Sequence, residues 1–183
     1  FNHGKGETDD HTWAWVPKTK TLVTGDLVLW VFPNAGNPQK VQRYPLEWAN
    51  ALREMMTCEA ELLVPAHGLP IKGTGRINRV LGDLAHVLET LVSETLELMN
   101  DGYQLNDIVH MVKVDQEMLG LPWLQPLYDE PEFVVRNIWR MYGGWWDADP
   151  ASLKPSPRVD LAKELSVLAG GAKQLADLSL IHI

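Results

Sequence analysis

Thr12-Trp13-Ala14-Trp15-Val16-Pro17-Lys18-Thr19-Lys20-Thr21-Leu22-Val23-Thr24-Gly25-Asp26 is the stretch that decides the fold. Thr12 to Val16 is aromatic and β-branched, Pro17 to Lys20 is a turn, and Thr21 to Thr24 is a second strand-forming run. The whole reads as two strands joined by a tight connection. The second strand runs directly into Gly25-Asp26, which sets a carboxylate on a loop at a strand end. Upstream lies Gly6-Glu7-Thr8-Asp9-Asp10-His11; downstream, the apolar run Glu61-Leu62-Leu63-Val64 delivers Pro65-Ala66-His67-Gly68. Carboxylates and an imidazole on short loops after apolar strands are the groups that converge on a catalytic metal. Glycine beside each of them lets the backbone turn sharply and approach an ion.

Taken singly, these residues are ordinary. Glu7 reads equally as a solvated loop carboxylate, Asp26 as a turn aspartate and His67 as a loop cap. Their order and placement together favour metal ligands. For Asp9, Asp10 and His11 two readings stand: groups that orient the ligands from behind, or solvated side chains. His86 and His110 lie in helical sequence without a partner four residues on, so a structural role is expected for both.

The pattern changes near Gly73. Before it, short strands and loops surround one helix around Leu46 to Cys58. After it, Ile77, Val80, Leu81, Leu84, Leu88, Leu91, Thr95 and Leu98 recur at three- and four-residue spacing and predict a long helix over Thr74 to Met99. Leu105 to Val112 predicts a shorter helix, and Pro131 opens another through Phe133, Val134, Ile138 and Met141. Ala148 to Pro157 reads as a linker, and Val159 to Leu168 as a last amphipathic helix ending at Gly170-Gly171.

The series Gly6-Glu7-Thr8, Thr24-Gly25-Asp26 and His67 resembles the metallo-β-lactamase superfamily. Glutamate at position 7, where most of that superfamily has histidine, resembles its alkyl sulfatase branch. The resemblance implies an α/β fold, part of an αββα sandwich, over residues 1–72. An all-α dimerisation domain over 73–177 follows, with Trp139-Arg140-Met141-Tyr142-Gly143-Gly144-Trp145-Trp146-Asp147 as its most similar segment. It also implies zinc, two ions per complete site, with Glu7 as a ligand of one, Asp26 as the bridging carboxylate and His67 as a ligand of the second. Glu7 and Asp26 are then the catalytic carboxylates. The family's His-x-His-x-Asp-His run is absent from the 183 residues. The chain therefore reads as a hydrolase domain cut on its N-terminal side, inactive by itself. Residues 178–183 read as a non-native tail.

The loop Phe32-Pro33-Asn34-Ala35-Gly36-Asn37-Pro38, with Lys40, Arg43 and Tyr44 after it, is the expected substrate wall. Asn34, Asn37, Arg43 and Tyr44 are its candidate contacts, offering neutral donors and cations to an anionic oxygen. Arg43 and Tyr44 read equally as the start of a helix packed on the sheet. Asn34 lies where alkyl sulfatases carry an asparagine, but Pro33 stands where they have histidine, and the nearest arginine is Arg43. Trp30, Phe32 and Trp123 are candidates for an apolar wall around an alkyl chain. The expected chemistry is metal-assisted hydrolysis of a small anionic alkyl or aryl sulfate ester by a homodimer. Two alternatives are a hydrolase of the same fold acting on a lactone, thioester or phosphoester, and a non-catalytic oligomerisation module with a vestigial metal site.

With 45% hydrophobic and 22% charged residues the chain is able to bury a sizeable core. A net charge of −8 argues against nucleic acid as a partner, so positive charge for an anionic substrate is expected to come mostly from metal. The single cysteine, Cys58, excludes an internal disulfide framework and reads as a small buried residue. No apolar run reaches the roughly 18–20 residues of a membrane span.

Overall fold

A computed structural model describes residues 1–179, a mixed α/β molecule. Its five-stranded sheet runs in chain order through β1 (Asn2–Gly4), β2 (His11–Val16), β3 (Thr21–Gly25), β4 (Leu62–Pro65) and β5 (Ile71–Lys72). Neighbours are antiparallel except β3 and β4, which are parallel and joined through helix α1 (Pro45–Met56). A parallel pair needs such a crossover because its second strand must start at the same end as its first. Alternation sets the faces: Leu22 and Thr24 of β3 and Leu63 and Pro65 of β4 are buried, whereas Val23 is exposed.

The long helix α2 (Thr74–Asn100) follows β5 and packs along α1. Its buried stripe runs from Ile77 to Thr95 as the spacing predicts. The facing side of α1 is Trp48, Ala49, Leu52 and Met55. Residues on either side of Gly73 therefore share one compact unit, Phe1–Asp147. That unit also holds α3 (Leu105–Met111), the short α4 (Gln116–Leu119) and α5 (Pro131–Gly143), which packs on α2 and α3. Pro45 and Pro131 each stand at the start of their helix, where the missing N–H costs nothing.

A second unit starts at Ala148. Within the stretch expected as a linker, Pro150–Leu153 forms a short helix, α6, capped by the Asp149 carboxylate accepting from the Ala151 N–H at 2.9 Å. Then come α7 (Arg158–Leu168) and α8 (Ala172–Ser179). The amphipathic reading of α7 is corrected here: Leu161, Leu165 and Leu168 lie on one side but Val159 and Val167 fall elsewhere, and none of its residues is buried. Leu178 and Ser179 of the expected non-native tail end α8; the rest of that tail lies outside the described residues.

The stripe of α2 and Trp139 are buried within the first unit, and the Trp139 indole donates to the Trp146 carbonyl at 2.7 Å. Tyr142, Trp145 and Trp146, and the apolar residues of α7, remain exposed. Among the described residues no helix is long and apolar enough to cross a membrane.

One polar clamp joins α1 to α2. Arg53 donates through Nε and a terminal nitrogen to both oxygens of Glu89, at 2.9 and 2.7 Å. The hydrogen bonds from Arg53 hold the Glu89 carboxyl below its ordinary range. A double-mutant cycle of Arg53→Ala and Glu89→Ala should give a coupling of about 0.5–1 kcal/mol at neutral pH, as for other half-exposed pairs. Because the folded-state value is the lower one, the unfolded chain takes up the proton first as pH falls. The coupling is therefore expected to be complete above about pH 5 and to fade below pH 4, which urea titrations across that range will measure.

Candidate active site

Asp26 follows β3 directly. Gly25 adopts a left-handed φ of 56°, and the β3–β4 register slips between Val23 and Gly25, so the chain kinks where the carboxylate emerges. The Ala66 N–H donates to the Gly25 carbonyl at 3.1 Å, which draws the end of β4 alongside. His67 Nε2 then lies 3.4 Å from Asp26 Oδ1. Parallel strands point the same way, so both loops open on one edge of the sheet. Asp26 is part-buried, whereas His67 is largely exposed.

Glu7 reaches the same cleft from the loop between β1 and β2, and it is held tightly. Its Oε1 accepts from Asn34 Nδ2 at 3.2 Å and faces an Arg43 nitrogen at 3.1 Å. A second Arg43 nitrogen donates to the Glu7 carbonyl. Arg43 is 5% exposed, so its guanidinium is an internal partner of Glu7. A buried charge persists where it is paired.

The cleft has a volume of about 520 Å³. Glu7, Asp26, Asn34, Lys40, Arg43 and His67 supply polar groups, while Leu29, Trp30, Val31, Gly68 and Tyr128 supply the rest of the lining. Five of the seven candidate residues, Glu7, Asp26, His67, Asn34 and Arg43, thus come together with Lys40, whose side chain is exposed. Asn37 and Tyr44 do not line the cleft. The Asn37 amide donates to the Tyr128 hydroxyl at 3.2 Å. Tyr44 precedes α1, donates to Asp9, and has the Lys5 ammonium 4.6 Å over its ring. That hydroxyl bond raises the Tyr44 pKa.

Of the expected apolar wall, Trp30 lines the cleft, its indole donating to the Leu69 carbonyl at 2.9 Å. Phe32 is fully buried and does not line the cleft, and Trp123 lies elsewhere, donating to Asp83 of α2 at 3.2 Å. Asp9 and Asp10 are exposed loop groups, Asp10 accepting from the Thr8 hydroxyl at 3.2 Å. His11 Nε2 donates to the Thr24 carbonyl at 3.2 Å and braces β3 from behind. Tyr128 had no signal in the sequence, because only the fold returns it to a loop it follows by 91 positions.

Among the described residues no three histidine, cysteine, aspartate or glutamate side chains close into a metal-holding group. Asp26 and His67 form one pair, and Glu7 is turned onto Arg43 and Asn34. The chemistry of the set still suits zinc: two carboxylates and an imidazole in one cleft, with Asn34 Oδ1 buried and lacking a hydrogen-bond partner beside Glu7.

A family model described as alkyl sulfatase dimerisation matches residues 104–179. A linear primary-alkylsulfatase of Pseudomonas sp. is 28% identical over 174 residues, covering 93% of this chain and 33% of that protein. The alkyl/aryl-sulfatase BDS1 of Saccharomyces cerevisiae is 30% identical over 129 residues, covering 69% of this chain and 20% of its own. The solved structure of the stereoselective inverting sec-alkylsulfatase Pisa1 from Pseudomonas sp. superposes with a TM-score of 0.83 at 25% identity, over 96% of this chain and 28% of that one. The chain thus spans a third or less of the length of these relatives.

Proposed function

We propose, on the premise that this chain is a relative of the alkylsulfatases, that it supplies part of the active site of a zinc-dependent sulfate-ester hydrolase. The observation that carries the reading is the meeting of Glu7, Asp26 and His67 in one cleft at the strand ends. In this reading the sheet with α1 and α2 is one part of an αββα sandwich. Glu7, Asp26 and His67 would hold the metal. Zinc, when bound, supplies Lewis acidity and lowers the pKa of water toward neutrality.

The chain's own residues do the rest. Arg43 and Asn34 fix the orientation of Glu7, so its carboxylate is preset. Lys40 is the exposed cation on the rim and draws the anionic head of a sulfate ester. Leu29, Trp30 and Val31 take the organic part and keep water from it. The match over residues 104–179, together with exposed Tyr142, Trp145, Trp146 and the apolar residues of α7, supports a homodimer.

A second reading has one observation in its favour: Arg43 is spent on Glu7, which among the described residues lining the cleft leaves Lys40 as the exposed lysine or arginine for an anion, and that suits a lactone or thioester. A substrate panel separates the two. The full-length gene product should hydrolyse alkyl sulfates, lose the activity to a chelator and regain it with zinc. This 183-residue chain alone should hydrolyse none of the panel. Turnover of lactones in preference to sulfates, or sulfate hydrolysis indifferent to chelation, would refute the proposal.

A further inference from the structure

The loop bearing Asn34 and Arg43 closes short turns of its own, and α5 and the segment before it hold it from outside. The Phe32 N–H donates to the Gln125 carbonyl at 2.9 Å. The Gly36 N–H donates to Asp129 Oδ2 at 2.6 Å, across 93 positions of sequence. Asp129 is fully buried, and its other oxygen accepts from the Glu130 N–H at 3.0 Å. At Gly36 the loop backbone rests on the first turn of α5: a Cβ there would stand 2.2 Å from backbone atoms of Phe133 and Val134. Farther along, Asn137 Nδ2 donates to the Arg43 carbonyl at 2.9 Å. Asn137 Oδ1 accepts from Gln42 Nε2 and from an Arg140 nitrogen, both at 3.0 Å.

Both side chains that hold Glu7 therefore leave backbone gripped from α5 and the segment before it, Asn34 two residues before Gly36, and Arg43 at its own carbonyl. We propose that Asp129 and Asn137 are positioning residues for Glu7, acting through the loop 32–43 from the helical part of the chain. A buried carboxylate with two N–H donors is a stiff anchor, since breaking either bond strands a charge away from water. The helical segment is accordingly part of the site's frame as well as a candidate for association. Burial raises the Asp129 pKa, while the Gly36 and Glu130 N–H groups and the nearby Arg43 oppose that shift.

The proposal rests on the reading of Glu7 as a metal ligand, and its test has an arm that does not. Asp129→Ala, the isosteric Asp129→Asn and Asn137→Ala are made in the full-length gene product, and amide exchange is followed by mass spectrometry. Exchange should quicken about tenfold or more over residues 32–38 and, with them, over Gly6 to Thr8, while α1 and α2 stay as protected as in the wild type. Zinc affinity, measured by chelator competition well below each variant's Tm, should fall on the order of 10–100-fold, as for other groups that orient a ligand. Asp129→Asn, which keeps one acceptor oxygen, should lie between wild type and alanine in both readouts. A merely structural role would lower Tm and leave exchange at Gly6 to Thr8 and the zinc affinity of the folded protein unchanged; that result overturns the proposal. If Asp129→Ala does not fold, the other two variants carry the test. A wild type that binds no zinc sinks the functional reading, and exchange at Gly6 to Thr8 then decides the inference alone.

Discussion

Asp26→Asn and His67→Ala, each in the full-length gene product, are expected to lower kcat/KM for alkyl sulfates by about a thousandfold or more, with zinc content falling in parallel. A metal centre contributes several kcal/mol of transition-state stabilisation, and each 1.4 kcal/mol is about tenfold in rate. Both side chains are well placed for a clean measurement. His67 is largely exposed, and its neighbour Asp26 is about one-third exposed. Asparagine keeps the volume of aspartate, so neither change opens a cavity. Thermal stability of the metal-free proteins should move by no more than about 0.5 kcal/mol, as for other surface substitutions. The pair separates catalysis from folding: activity within tenfold of wild type in both variants would remove Asp26 and His67 from the site.

Trp48→Ala should act the other way, through stability. Trp48 is fully buried in α1, and its indole donates to the Leu27 carbonyl at 2.9 Å, one residue beyond Asp26. Removing a buried tryptophan costs about 3–5 kcal/mol, against a total stability of typically 5–15 kcal/mol. It also leaves a carbonyl without its donor beside the loop that carries Asp26. Gly6, next to Glu7, lies against the same residue: a Cβ on it would stand 4.0 Å from Trp48 Cα. The variant should therefore unfold at a much lower urea concentration, and the loops carrying Glu7 and Asp26 should loosen before the sheet does. Leu127→Ala is the control, because Leu127 is 73% exposed and its loss should leave the unfolding midpoint unchanged.

The framework was legible wherever residue type or period was strong. Aromatic and β-branched runs around a turn placed β2 and β3, and three-and-four spacing placed α2 to within a residue of its end. Asp26 and His67 were legible because each follows a strand and sits beside a glycine, and such loops point off the sheet edge. Proximity along the chain misled at Asn37 and Tyr44. Asn37 lies in the wall loop and Tyr44 soon after it, but the Asn37 amide is bonded to the Tyr128 hydroxyl and the Tyr44 hydroxyl to Asp9. Phe32 failed as a wall residue because a fully apolar ring at a loop base is buried before it lines a cleft. Tyr128, Asp129 and Asn137 had no local signal, since their roles arise only when α5 docks.

The parallel pairing of β3 with β4 bears on how the protein comes into being. A hairpin forms between neighbours, but this pair must wait for α1 to cross over and settle, a closure spanning about forty residues. Asp26 and His67 therefore have no encounter in an early intermediate, however much helix that intermediate contains. On a ribosome, Asp26 emerges and remains solitary until β4 has been synthesised and seated, so the Asp26–His67 pair is assembled late and all at once.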